Sequence, residues 1–273
     1  MARLAPPRGH RFQPVDDGLG SARIGQSLHG LAHLGTPLPV ACQRTDRGCQ
    51  SFRVARPLIE HHGRSCLGEA SGVLVTPAGG AKAPAVVVLQ EWWGVNDQIQ
   101  AIAARYAEAG FLAIVPDLYH GKIAKDADEA GAMMKALDFG KAVQEIAGAV
   151  AFVRERSTGK IAVTGYCMGG ALALASAVHL RGLAAVVPFY GLPGDLDWTK
   201  VDAPIQAHFA THDEWATVAG AEQVKAAVKA PMELYTYDAQ HAFANERRPE
   251  VYNPEAAKLA WDRALGFVRS HTA

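Results

Sequence analysis

Downstream of residue 70, short apolar runs alternate with longer segments in which apolar residues recur every three or four positions. The runs at 84–90 (PAVVVLQ) and 111–117 (FLAIVPD) are almost continuously apolar, which predicts strands buried on both faces. Segment 98–110 (QIQAIAARYAEAG) places its apolar residues on one helical face, and Asp97 is the predicted N-terminal cap.

The same patterns predict the remaining elements. Further strands are expected at 71–77, 160–165, 183–191, 203–213 and 231–238, and helices at 126–137, 140–156, 171–180, 217–229 and 254–270. Because parallel strands need crossover connections, this order predicts an α/β fold with a doubly wound, mostly parallel sheet and helices on both faces. Functional side chains are then expected in loops at the carboxyl ends of the strands.

Residues 1–66 have a different character from the rest of the chain. They are rich in Arg, Gly, His and Pro and show no sustained period, which predicts a disordered N-terminal extension before a single domain at 67–273. This extension could also be a partner-binding arm or residues upstream of the true start of the folded protein.

The overall charge indicates no polyanionic partner, because 27 basic and 27 acidic side chains cancel. The chain has no apolar run near the roughly 20 residues that cross a membrane, and Pro6, Pro7 and Arg8 interrupt any signal-peptide pattern. We therefore expect a cytoplasmic protein, favoured as a monomer, with a small-molecule partner and without nucleic-acid or membrane partners.

The four cysteines are too few and too unevenly spread to predict a disulfide framework. Cys42 and Cys49 with His61 and His62 match no standard zinc spacing, so neither a metal nor an organic cofactor is predicted.

The segment 165–169 (GYCMG) follows a predicted strand and precedes a predicted helix, which is the context of a nucleophile elbow. Gly165 and Gly169 are the small residues that such a tight turn requires. Cys167 is therefore the predicted nucleophile, and the start of a helix is expected to lower its pKa. The alternative role of this cysteine is that of a small buried hydrophobe.

A cysteine nucleophile needs a base and an acid that orients the base, and in this fold both follow later in the chain. Asp213 follows the strand-like run 203–213, and His241 follows the next strand. His212 and Asp238 lie close by in the sequence, so the pairing of Asp213 or Asp238 with His241 stays open.

The segment 90–94 (QEWWG) ends a predicted strand, where this fold supplies one backbone N–H to an oxyanion. The backbone N–H groups of Trp92 and Met168 are the candidate donors. Glu91 ends an apolar strand, so its carboxylate is either solvated or held there for chemistry. The two tryptophans could equally pack in the core.

Taken together, residues 70–273 resemble the dienelactone hydrolase family of the α/β-hydrolase fold. The resemblance rests on QEWWG (90–94), PDLYHG (116–121), GYCMGG (165–170), THDEW (211–215) and AQHAF (239–243).

The resemblance implies a catalytic triad of Cys167, His241 and Asp213, with Glu91 beside the cysteine. In that family the resting thiol interacts with the glutamate, which takes the thiol proton when substrate binds. A serine hydroxyl is too weak an acid for this step, which accounts for a cysteine at the elbow.

The family holds a substrate carboxylate with arginines, one of them four residues after the histidine, where this chain has Asn245. Arg247 and Arg248 lie nearby, and either is a candidate to replace that arginine. Trp93, Tyr119 and Phe243 are expected to line the substrate pocket.

The sequence therefore predicts a hydrolase that cleaves small lactones or activated carboxylic esters through an acyl-cysteine intermediate. One alternative is a general carboxylesterase or thioesterase for neutral acyl groups. Another is a catalytically idle α/β domain that only binds.

Overall fold

A sheet of nine strands forms the centre of the described part of the chain. The structure is a computed structural model that describes residues 42–44, 49–55, 69–78 and 82–273, all within one unit, Leu38–Ala273. The strands are β1 (Cys42–Arg44), β2 (Cys49–Ala55), β3 (Glu69–Val75), β4 (Ala85–Leu89), β5 (Leu112–Pro116), β6 (Ile161–Tyr166), β7 (Ala185–Phe189), β8 (Ile205–His212) and β9 (Met232–Gln240).

The strand order in the sheet is β1-β2-β3-β5-β4-β6-β7-β8-β9. Strands β4 to β9 run parallel, and β1, β2 and β3 pair antiparallel at one side. Strand β4 lies between β5 and β6. After β4 the chain therefore adds β5 on one side of it and later adds β6 on its other side. The loops that follow β4 and β6 therefore meet at one edge, which is where open α/β sheets bind ligands.

Helices cover both faces of the sheet. Val86 and Val88 of β4 belong to the core beneath α1 and α6, whereas Val87 and Leu89 belong to the core shared with α3, α4 and α5. This division follows from the alternation of side chains along a strand. The helices are α1 (Asp97–Glu108), α2 (Ala127–Ala136), α3 (Phe139–Arg156), α4 (Met168–His179), α5 (Val218–Ala227) and α6 (Pro254–Thr272), with a 3-10 turn at Trp198–Lys200.

The predicted fold class is confirmed, and two helix starts are corrected. Helix α1 is capped by Asn96, whose Oδ1 accepts the N–H of Ile99 at 3.2 Å, so Asp97 is the first helical residue and not the cap. Helix α4 begins at Met168, three residues before the predicted start at 171. Its glycines are poor helix formers, but close packing against neighbouring strands requires them in the first turn.

Part of the N-terminal stretch is described as strand. Strands β1 and β2 lie within residues 1–66, and β2 pairs with β3 in a register that sets Cys49 opposite Val75. The rest of this stretch, including His61 and His62, lies outside the described residues, so the predicted disordered extension stays a prediction. Within the described ranges, no helix is both long and apolar enough to span a bilayer.

A buried histidine joins β8 to β9. His208 is fully buried, its Nδ1 lies 2.8 Å from the Tyr237 hydroxyl, and its Nε2 lies 3.2 Å from Oε1 of Gln206. The ring also stacks on Phe189, with ring centroids 4.5 Å apart. Burial, followed by the positive charge of Arg263, lowers the pKa of His208 to about 3. The imidazole is therefore neutral in the folded protein at physiological pH.

This buried imidazole predicts a pH dependence of stability. Between the ordinary histidine pKa of 6.5 and the folded-state value of about 3, the unfolded chain binds a proton that the folded chain does not. The contribution of His208 to the free energy of unfolding is therefore complete above pH 6.5 and falls by about 1.4 kcal/mol per pH unit below it. In urea unfolding, His208→Gln should destabilise the protein less at pH 5 than at pH 7.5. An equal destabilisation at both pH values would contradict the prediction.

Candidate active site

Four predicted site residues meet at the carboxyl edge of the parallel strands. Glu91 follows β4, Cys167 follows β6, Asp213 follows β8 and His241 follows β9. The crossover helices carry the chain back to the opposite edge each time, so residues far apart in sequence converge at this one edge.

The turn at Cys167 has a strained backbone that its glycine neighbours make possible. Cys167 has φ 54° and ψ −117°, a region that non-glycine residues rarely adopt. A Cβ added to Gly165 would collide with the carbonyl of Gly169, and one added to Gly191 would collide with the carbonyl of Cys167. A Cβ on Gly169 would collide with the carbonyl of Leu89 in β4. These close approaches explain the glycines around the cysteine.

The sulfur, imidazole and carboxylate form one hydrogen-bonded chain. Sγ of Cys167 lies 3.1 Å from Nε2 of His241, and Nδ1 of His241 lies 2.6 Å from Oδ2 of Asp213. The other oxygen of the buried Asp213 accepts the backbone N–H groups of Trp215 and Ala216, both at 2.9 Å. Because Asp213 is held by these donors, it fixes the orientation of the imidazole.

The competing pair lies at the surface. Asp238 has a side chain that is 92% exposed, and its Oδ1 lies 2.7 Å from Nε2 of His212. The structure therefore brings Asp213, and not Asp238, to His241. Among the described residues, no three His, Cys, Asp or Glu side chains group as candidate metal ligands.

The thiol of Cys167 is protonated at neutral pH. Burial, followed by the negative charges of Glu91 and Asp213, raises its pKa to about 12, although hydrogen bonds from the backbone N–H groups of Met168 and Trp92 lower it. The expected lowering by the helix start is therefore overturned, because desolvation and two carboxylates outweigh these donors. The same two N–H groups are the predicted oxyanion donors, and both are directed at the Cys167 sulfur.

Glu91 is buried, at 3% exposure, and held by two neutral donors. Its Oε1 accepts the hydroxyl of Tyr190 at 3.2 Å, and its Oε2 accepts Nδ2 of Asn245 at 2.8 Å. Burial raises the pKa of this carboxyl group. Both of its oxygens are engaged by these donors, and the hydrogen-bond partner of the Cys167 sulfur is His241.

Two of the predicted pocket residues lie beside these groups. The Tyr119 hydroxyl donates to Sδ of Met168, the residue that follows Cys167, at 3.3 Å. Trp93 is half-buried and meets Trp92 edge to face, with ring centroids 5.1 Å apart.

The other two residues predicted to contact substrate, Phe243 and Arg247, have different surroundings. Phe243 is fully buried, with its ring centroid 5.3 Å from Tyr190 and 5.0 Å from Tyr237. It therefore belongs to the core, which corrects the expectation that it lines the pocket. Arg247 is exposed and pairs with Asp97 at 3.3 Å. Its role in substrate binding stays a prediction.

Three residues of the site were not recognised from sequence as part of it. The sequence marks Asn245 only by the absence of an arginine, and it places Tyr190 at the end of a predicted strand. Trp215 is 79% exposed, and its ring meets His241 edge to face with centroids 5.2 Å apart. For Tyr190, the available signal was its position at the carboxyl end of β7, the edge where functional side chains collect.

Comparison with known proteins gives consistent results. A family profile described as "Dienelactone hydrolase family" matches residues 70–272. "Protein usf" of Aquifex pyrophilus is 35% identical over 221 residues, which cover 73% of this chain and 93% of that protein. A carboxymethylenebutenolidase of Pseudomonas sp. (strain P51) is 32% identical over 213 residues, which cover 72% of this chain and 88% of that protein.

A solved structure supports the fold. A dienelactone hydrolase-like promiscuous phosphotriesterase from metagenomic libraries superposes with a TM-score of 0.70. The alignment covers 83% of this chain and all of that one at 20% identity, so it is informative about the fold alone.

The close packing around Cys167 predicts that two glycine substitutions differ strongly in their effect on the free energy of unfolding. Gly165→Ala should reduce the free energy of unfolding by about 3 kcal/mol, because backbone atoms must move to admit the methyl group. Gly194→Ala is the matched control, since a Cβ there meets no atom within 4 Å. Denaturant unfolding of both variants tests this, and equal stabilities would show that the elbow tolerates a side chain.

Proposed function

The chain belongs to the dienelactone hydrolase family of hydrolases that act on esters or lactones, and from this we propose that it cleaves small lactones or activated carboxylic esters through an acyl-cysteine intermediate. The observation that carries the proposal is the hydrogen-bonded chain from Cys167 through His241 to Asp213, with distances of 3.1 and 2.6 Å. This is the arrangement of an activated nucleophile with an oriented base.

In the first half of the reaction, the Cys167 sulfur attacks the substrate carbonyl carbon while the thiol proton passes by way of Glu91 to His241. The carbonyl oxygen becomes an oxyanion, which receives the N–H groups of Trp92 and Met168, each worth about 3 kcal/mol in the transition state. The C–O bond of the ester then breaks, and the leaving oxygen takes a proton from His241. Asp213 stabilises the imidazolium that exists in between.

In the second half, His241 removes a proton from a water molecule, which attacks the acyl-cysteine carbonyl. The same two N–H groups hold the second oxyanion, and the C–S bond breaks to release the carboxylic acid. The sulfur recovers its proton from the imidazolium, so the resting state is restored without a cofactor.

Glu91 acts as the thiol activator in this proposal. Its raised pKa gives the carboxylate affinity for a proton, so it can accept the proton of a neighbouring thiol. To do so, the carboxylate exchanges its hydrogen bond to Tyr190 for one to Cys167. Tyr119 and Trp93 then lie where the acyl group enters.

Two other functions are less well supported. An idle binding domain gives no reason for a strained cysteine in line with a buried acid and a histidine. A general carboxylesterase or thioesterase for neutral acyl groups is favoured by one observation, the engagement of Asn245 with Glu91 in place of a cation.

Cys167→Ala should abolish turnover of both a dienelactone and a neutral p-nitrophenyl ester, because the acyl group has no atom to which it can transfer. The initial rate should fall by about a thousandfold or more. Mass spectrometry of the wild-type protein quenched during ester turnover should show the added acyl mass on the peptide that contains Cys167. Turnover that survives the substitution would contradict the proposal.

Asp213→Asn and Asp238→Asn form a matched pair that separates the buried acid from the exposed one. Loss of the Asp213 charge should reduce kcat/KM by about a hundredfold or more, because the imidazolium loses its stabilising carboxylate and the tautomer changes. Asp238→Asn should leave kcat/KM within about twofold, since the Asp238 carboxylate pairs with the exposed His212 and only its backbone carbonyl accepts the side-chain amide of Asn253. Comparable losses in both variants would count against the assigned triad.

A further inference from the structure

Asn245 has both ends of its amide engaged inside the protein. The residue is 1% exposed, its Nδ2 donates to Oε2 of Glu91 at 2.8 Å, and its Oδ1 accepts the backbone N–H of Arg247 at 3.0 Å. Since a carboxylate needs a donor and a backbone N–H needs an acceptor, only one orientation of the amide satisfies both. Asn245 is therefore a fixed support for Glu91 and is not free to bind substrate.

The support that Asn245 gives to Glu91 carries no charge. The second donor, the Tyr190 hydroxyl at 3.2 Å, is neutral as well. Positive charge acts on Glu91 from His241 and more weakly from Arg248, whose Nε is bound to Glu250 at 2.8 Å. The carboxylate of Glu91 is thus buried and hydrogen-bonded, but no cation is in direct contact with it in the described part of the chain.

The negative charges of Glu91 and Asp213 act on the Cys167 sulfur. Glu91 and Asp213 both raise the pKa of the Cys167 thiol, so both place negative potential at the sulfur. An acyl group bound to Cys167 occupies the same region. A negative charge on the acyl group would be repelled by these carboxylates in a site of low dielectric, whereas an uncharged acyl group would not be repelled.

We propose that Asn245 is a positioning residue that fixes Glu91 beside Cys167 without a compensating cation and thereby makes the site select acyl groups that carry no negative charge. The inference rests on the proposed ester hydrolysis and names its substrate class, uncharged acyl esters and lactones. In this arrangement Glu91 acts on the charge of the incoming group, and Asn245 acts through Glu91.

Alkylation of Cys167 tests the proposal without requiring turnover. Iodoacetamide and iodoacetate differ in an amide against a carboxylate, and both form a C–S bond and expel iodide. Their rates at the Cys167 peptide, measured by mass spectrometry at pH 7.5, are compared with their rates at glutathione. The preference for iodoacetamide should be at least about tenfold greater at Cys167, which corresponds to about 1.4 kcal/mol.

Two substitutions test whether this preference comes from the charge of Glu91 and from the neutral Asn245 that holds it. Glu91→Gln keeps the shape and removes the charge, so the preference should fall to within about twofold of glutathione. Asn245→Lys places a cation against Glu91 and should lower the preference in the same direction, and thermal unfolding shows whether this variant folds. Asp238→Asn removes an exposed carboxylate and should leave the preference unchanged.

Matched esters extend the test to catalysis. The wild type should hydrolyse p-nitrophenyl butyrate with a kcat/KM at least about tenfold above that for mono-p-nitrophenyl succinate, and Glu91→Gln should narrow this ratio even if both rates fall. If neither ester is hydrolysed, the proposed function fails while the alkylation ratio still decides the inference. An iodoacetate rate at Cys167 that matches glutathione, or a preference unchanged in Glu91→Gln, would overturn the inference.

Discussion

The backbone approach between β4, β6 and the start of α4 is the constraint on which the rest of the site depends. Gly165 and Gly169 allow carbonyl groups of neighbouring segments to lie where a Cβ would otherwise stand. The strained φ of Cys167 follows from this approach, since the turn has no room to relax. It places Sγ at the strand edge and directs the N–H of Met168 at the sulfur, so the proposed nucleophile and one proposed oxyanion donor come from the same turn.

Two buried carboxylates at this edge differ because their donors differ. Asp213 accepts two backbone N–H groups on one oxygen and the imidazole of His241 on the other. Glu91 accepts only a tyrosine hydroxyl and an asparagine amide, and burial raises its pKa. The two carboxylates therefore differ in what they contact: Asp213 reaches the imidazole of His241, whereas Glu91 meets only neutral donors.

The sequence-based predictions succeeded where short-range physics decides the outcome. Apolar runs and helical periods located the strands and helices of residues 69–273, because burial on one or both faces leaves a direct pattern in the chain. They were wrong where neighbouring candidates compete or burial intervenes. Asn96 and Asp97 are both good caps and only the helix register chooses between them, while the pKa of Cys167 depends on desolvation that no local pattern reports.

The glycine-flanked turn at Cys167, the chain order of Cys167, Asp213 and His241, and the parallel α/β architecture were determined by the sequence itself, because each depends on residues adjacent in the chain or on regular periods. The tertiary structure decided which partner each group meets. Asp213 and not Asp238 reaches His241, Phe243 turns into the core, and Asn245 contacts Glu91 across 154 positions. Such contacts depend on where strands and loops lie in space, which local propensities do not encode.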